Sequence, residues 1–233
     1  MDVDIIVTCE HGGNNIPEYY RYLFPEGSGE ILASHRGWDP GAWDVATYVA
    51  DRLNAPLYGC HTSRLLIEVN RSLHHPELFS EYTTSLDKET KERLIQEVYR
   101  PYREAVLERM KNTTSPVLHL SVHSFTPVWH GEVRAMDVGL LFDPERPWEA
   151  SCCDFIRAYL MRTLPQVHVV FNEPYKGIDD GFTTNLRQSF SSGGYAGIEI
   201  ELNQKLIGTP LWEKIAETLV GSVRDLRDLP ANP

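Results

Sequence analysis

Apolar residues along this chain form two kinds of run: short blocks, and longer stretches in which they recur every three or four positions. The short blocks read as strands: Asp4–Cys9, Leu57–Cys60, Leu65–Val69, Val117–Val122, Val138–Phe142, Val167–Phe171 and Ile198–Leu202. Several are apolar at successive positions, as expected of strands covered on both faces in a mostly parallel sheet. The longer stretches read as helices. Between Gly41 and Asn54, the residues Ala42, Val45, Ala46, Val49 and Leu53 form a helical stripe, and Asp39-Pro40 before it offers a cap followed by proline. A second helix is expected from about Asp87 to Met110, kinked at Pro101, and a third over Trp148–Leu164. The last opens at Thr209-Pro210 and carries Leu211, Ile215, Leu219, Val223 and Leu226 on one side. Alternating strands and helices predict an α/β fold of three layers, α/β/α, around a central, mostly parallel mixed sheet. No repeat or linker-like stretch interrupts residues 1–233, so one domain is expected.

The segments left over are uneven. Those over 10–38, 72–86, 124–136 and 172–195 are long and rich in His, Gly, Pro and aromatic residues. Long loops that keep their aromatics are more often functional than disordered.

Composition narrows the function classes. A formal net charge of −11 argues against a nucleic-acid partner, whose phosphates need a basic surface, but leaves a small anionic substrate open. No apolar run is long enough to span a bilayer, and acidic residues stand in the opening MDVDIIVTCEHGG, so no membrane partner and a cytoplasmic location are expected. The four cysteines lack C-x-x-C spacing and read as buried thiols. The pattern leaves the oligomeric state open.

Polar residues gather where strands are expected to end: His11, Asn70-Arg71, His123 and Asn172-Glu173, with Glu199 and Glu201 inside the apolar last strand. In open α/β sheets, ligands bind beyond the carboxyl ends of the strands, so one cleft accounts for all of them. His11 and His123 are the metal candidates, because a hydrolytic zinc site needs about three His or carboxylate ligands and an open position. The third ligand is sought among Glu10, Asn14 and Asp39. Asp39 competes with its own helix-cap role, and His35 is an alternative with Asp39 behind it. His119, deeper in the same strand as His123, reads as structural. Glu201 is the candidate general base, since a carboxylate in Gly197-Ile198-Glu199-Ile200-Glu201-Leu202 is costly to bury unless it is paired or beside a metal. Glu199 shares its face by the period of two, and spacing does not choose between them. Asn70, Arg71 and Arg187 are candidate substrate-binding residues, because the guanidinium fork matches a carboxylate. Tyr175 is a fourth.

Six stretches together resemble the N-formylglutamate amidohydrolase family: Val7–Pro17 (VTCEHGGNNIP), Trp38–Ala42 (WDPGA), Val69–Ser72 (VNRS), His123–Pro127 (HSFTP), Asn172–Tyr175 (NEPY) and Gly197–Glu201 (GIEIE). They span nearly the whole chain in order. The resemblance implies a fold similar to zinc-dependent exopeptidases and aspartoacylase-type deacylases (phosphorylase/hydrolase-like). It also implies one Zn²⁺ on His11, His123 and a carboxylate, with Asn70-Arg71 on the substrate carboxylate and Glu201 as base. One departure is visible: the Glu of the relatives' His-x-x-Glu falls on Asn14, so either another carboxylate such as Asp39 substitutes or metal binding is weaker than the resemblance implies. The expected activity is hydrolysis of the N-acyl amide of a small acidic amino-acid derivative such as N-formylglutamate. The rivals are another N-acyl-amino-acid deacylase or small carboxypeptidase, and a metal-free protein that only binds a small acid.

Overall fold

Strands and helices alternate along the computed structural model, which describes residues 3–227. In chain order they are β1 (Asp4–Cys9), α1 (Gly29–Ala33), α2 (Ala42–Leu53), β2 (Leu57–Gly59), α3 (Lys88–Leu94), α4 (Arg100–Lys111) and β3 (Val117–Phe125). There follow β4 (Val128–Trp129), β5 (Glu132–Val133), β6 (Val138–Leu141), α5 (Pro147–Thr163), β7 (Val169–Phe171), α6 (Phe182–Arg187), β8 (Tyr195–Asn203) and α7 (Pro210–Arg227). Six strands form one sheet in the order β2-β1-β3-β8-β6-β7, with β4 and β5 as a separate hairpin. Every neighbouring pair in the sheet is parallel except β6 and β8. The architecture is the mostly parallel mixed α/β/α arrangement expected from the pattern.

Strand alternation sorts the chemistry. Ile5, Val7 and Cys9 of β1, Leu118, Leu120 and Val122 of β3, and Ala196, Ile198, Ile200 and Leu202 of β8 pack into one large core with α2, α5 and α7. The intervening positions turn the other way, where Ile6, Val117 and Tyr195 meet Val106 and Met110 of α4 and Phe182 and Leu186 of α6. That second face becomes polar toward the carboxyl ends of β3 and β8, where Ser121 pairs with Glu199 and His123 with Glu201. β3 runs on through Phe125, so His123 lies inside the strand rather than closing it, and the chain leaves the sheet only after Phe125.

Two further expectations fail for physical reasons. Leu65–Val69 is not a strand. Its amides bond locally, Leu66 N to Ser63 O and Glu68 N to Leu78 O, and Leu66, Ile67 and Val69 pack with Tyr20, Leu78, Leu94 and Tyr99 in a second core. A short apolar run reports burial, and burial here is under a loop rather than in a sheet. The second failure is the cap of α2. Gly41 occupies the cap position with φ +78°, a conformation that favours glycine, and the side chain of Asp39 makes no cap bond. The long helix is continuous across 88–111, with a π-helical turn at Ile95–Tyr99 just before Pro101. The wider turn accommodates the missing proline N–H, and Pro101 falls in the first turn of α4. Asp87 caps α3 by accepting from Thr90 N. Among the described residues no helix is long and apolar enough to cross a membrane.

Candidate active site

Three elements deliver one buried cluster. His11 stands just past β1, Asp39 just before α2 and His123 near the end of β3, each under a tenth exposed. The Nδ1 atoms of His11 and His123 lie 3.1 and 2.8 Å from the same oxygen, Oδ2 of Asp39. The ring centroids are 5.0 Å apart, and one ligand atom from each residue falls within 4.8 Å of the others. His11, Asp39 and His123 could therefore hold a metal ion.

The far sides of the two rings support the same reading. Nε2 of His11 is 2.6 Å from Oε1 of Glu68, and Nε2 of His123 is 3.0 Å from Oε2 of Glu10. Glu68 is itself bonded by Arg64 Nε at 2.7 Å, and Glu10 accepts from Ser121 Oγ at 2.6 Å and Tyr102 Oη at 2.7 Å. A carboxylate behind each imidazole fixes which nitrogen faces the common point and raises its basicity, the usual support of a metal-binding histidine. The donor set, two imidazoles and one carboxylate, is that of hydrolytic zinc sites.

These charges hold one another in place. Burial opposes the charge on His123, but Asp39 and Glu10 outweigh it and its pKa stands well above the ordinary value. Burial likewise opposes ionisation of Glu10, Asp39 and Glu68, and all three are nonetheless held below the usual carboxylate range by the histidines and, for Glu68, foremost by Arg64.

Glu201 behaves in the opposite way. It is 5% exposed, and its Oε2 has no hydrogen-bond partner among the described residues. Burial pushes its pKa up to about 7, His123 pulls it down and Asp39 pushes it up again. Its antiparallel neighbour is Gly139, where a Cβ would fall 2.1 Å from the carbonyl of Glu173, so glycine is what lets the 172–175 segment cross the strand there. Glu199, on the same face, is occupied: Oε1 accepts from Thr183 Oγ1.

Glu201 and the His11–Asp39–His123 cluster open on one pocket of about 130 Å³, also lined by Arg64, Asn70, Arg71, Tyr175, Lys176 and Glu199. Asn70 accepts from Phe182 N through Oδ1 at 2.8 Å, which fixes the amide and leaves its NH₂ group as a donor. Arg71 donates to the carbonyl of Asp180, while its own carbonyl accepts from Tyr99 Oη and Arg103 Nη1. Tyr175 is 43% exposed at the mouth.

Not all the expected residues meet there. Arg187 lies outside the pocket: its guanidinium donates to Glu149, to the carbonyls of Gly177 and Gly197, and to Thr184. Asn14 is tied to the carbonyl of Leu32, and His35 packs edge-on against Trp129. His119 is locked between Thr8 and Tyr195, and burial lowers its pKa to about 4. The sequence reading missed Arg64 and Glu68; Glu10, one of its three candidates for the third ligand, instead stands behind the ring of His123. The argument that singles out Glu201, a carboxylate in an apolar run, applies equally to Glu68 in LLIEV.

Comparison with known proteins identifies the family. The sequence profile described as FGase, N-formylglutamate amidohydrolase, matches residues 3–208. The crystal structure of gene product Atu2144 from Agrobacterium tumefaciens is similar over 97% of this chain and 92% of that one, with a TM-score of 0.78 and 26% identity. An N-acetylmuramoyl-L-alanine amidase from Clostridium difficile 630 aligns over 98% of both chains with a TM-score of 0.46 and 12% identity. No curated protein matches the chain. With the profile covering most of its length, the chain belongs to the N-formylglutamate amidohydrolase family and is a hydrolase of amide bonds.

Proposed function

We propose that the protein is a zinc-dependent amidohydrolase that removes the acyl group from a small N-acylated acidic amino acid, with N-formylglutamate as the type substrate. The observation that carries this reading is the juxtaposition of a three-donor cluster with an unpartnered buried carboxyl in one small pocket. The pocket is well below the roughly 300–1,000 Å³ of sites for drug-sized ligands, which favours a small molecule. Family membership supports the amide bond as the one that breaks.

His11, Asp39 and His123 would hold the ion. When bound, zinc supplies a Lewis acid for the acyl carbonyl and lowers the pKa of water. Glu201, whose carboxyl is raised by burial above the ordinary range in the metal-free chain, keeps an oxygen without a partner among the described residues. It takes a proton from the attacking water and returns it to the departing amine. Arg71 and the Asn70 amide orient the substrate carboxylate. Glu199, bound to Thr183, positions the start of α6 at the pocket wall. Arg64 keeps Glu68 ionised and so keeps His11 in the metal-binding tautomer.

The test is hydrolysis of N-formylglutamate by protein before chelation, after chelation and after return of zinc. Loss and recovery of turnover are expected; unchanged turnover in metal-free protein would discard the mechanism.

A further inference from the structure

Arg134 follows β5 at the base of the β4–β5 hairpin, where its amide bonds to the carbonyl of Pro127. Its guanidinium lies 5.7 Å from the Phe125 ring, 5.3 Å from the Trp129 ring and 5.2 Å from the Tyr175 ring. Such a box fixes a guanidinium by cation–π attraction. Its hydrogen bonds run from Nη1 alone, to Tyr175 Oη at 3.4 Å and Thr126 Oγ1 at 3.5 Å, both long and both to neutral groups. Among the described residues it forms no ion pair. In a chain of net charge −11, where Arg64 beside the same pocket holds two carboxylates, an arginine without one stands out. Tyr175, its direct contact, lines the pocket and faces Glu201 closely enough to feel its charge.

We propose that Arg134 is a second carboxylate-binding point at the pocket mouth, taking the side-chain carboxylate of a dicarboxylic substrate whose α-carboxylate sits on Arg71. This deepens the function proposed above and rests on it for the placement of Arg71. The three rings hold the fork in one orientation, so little entropy is lost when a carboxylate binds it, and a neutral amide in the same place leaves the charge unmatched. Arg134 is thus the residue that separates acidic from neutral side chains, and the reacting groups do not depend on it.

The experiment compares R134M, which keeps an unbranched stem among the rings, with wild type on N-formylglutamate and N-formylglutamine. R134M is expected to lower kcat/KM for N-formylglutamate by about 10- to 100-fold, through KM, and to leave N-formylglutamine within about twofold, as loss of one charge-assisted pair implies. An equal fall on both substrates, or none, would overturn the assignment. So would loss of the preference in K176M with its retention in R134M, since Lys176 also lines the pocket. R134K, which retains charge without the fork, serves if R134M does not fold, and should show the same selectivity loss to a smaller degree. Binding of glutarate against its monoamide, followed by calorimetry, gives a readout free of turnover. An Arg134-dependent preference for glutarate in a protein that hydrolyses neither substrate would retire the proposed activity and keep this subsite. Its absence in an active enzyme would do the reverse.

Discussion

Of two buried clusters of charge among the described residues, one is a strut and the other a candidate for chemistry. In the first turn of α5, Glu149 is fully buried and both its oxygens are taken by Arg187, with Arg146 and the Gly197 amide adding further contacts. That network faces inward, and the acid and base are each other's partners. At the carboxyl ends of β1 and β3, the histidines and carboxylates are equally buried but converge on a common point beside a pocket, and the neighbouring Glu201 keeps an oxygen without a partner. Buried charge by itself marks a costly group that structure has compensated. What separates a site from a strut is the residual unpaired donor or acceptor that opens on space for a ligand.

Substitutions can break this contrast, and the largest effect is expected at the convergent cluster. H123A should lose tight zinc binding and turnover together, as measured by metal analysis of the purified protein and hydrolysis of N-formylglutamate. Retained stoichiometric zinc in H123A would show that the cluster is another strut. E201Q is expected to lower kcat by about 10²- to 10⁴-fold while leaving zinc in place.

Stability should move the other way for Glu201. Its pKa in the folded chain is raised from 4.5 to about 7, so folding is penalised once the group must ionise. The penalty is absent below about pH 4.5, grows through the interval and is complete above about 7. In metal-free protein at pH 8, E201Q should therefore be more stable than wild type, by about 3 kcal/mol in denaturant titration. A bound Zn²⁺ would favour the ionised carboxylate, so kcat/KM of the wild type should rise with pH along a limb centred below the metal-free value of about 7, and E201Q should lack that limb.

At the other cluster, R187M leaves Glu149 buried without its partner and should cost about 3–5 kcal/mol, seen as a lower Tm. Its turnover per folded molecule should stay within about threefold of wild type, since truncation of a strut acts through the amount folded. A loss of 100-fold in kcat/KM without loss of Tm would return Arg187 to the substrate. The smallest effects belong to the groups behind the proposed metal ligands. E10Q and E68Q should each weaken zinc about 10- to 100-fold, measured by competition with a chelating dye.

The sequence carried much of this site, though unevenly. His11 and His123 are legible because two histidines follow or end apolar blocks, and strand ends converge in a parallel sheet. Glu201 is legible because an acid in GIEIEL has no cheap resting place. Asp39 is less so, since Asp-Pro before a helical stripe is also a cap, and only the left-handed Gly41 shows that the cap lies elsewhere. Arg71 and Arg187 look alike as arginines after or among polar residues, and nothing local tells the pocket wall from the partner of Glu149.

What the chain determines by itself is whatever follows from periodicity and short-range chemistry. That includes the longer helices (but not the short α1 and α6), most strands, the polar face shared by Glu199 and Glu201, and the expectation of a metal, for which two imidazoles and an embedded acid are the materials. What tertiary structure decided is pairing. Leu65–Val69 has the apolarity of a strand but no ladder to join, so it folds under a loop and delivers Glu68 to the back of His11. Glu10 reaches across to His123, Asp39 joins the two histidines, and Arg187 turns away to Glu149. Each of these is a contact between residues far apart in the chain. A sequence states the cost of burying a charge at one position, but which distant partner offsets it is fixed only when the layers close on one another.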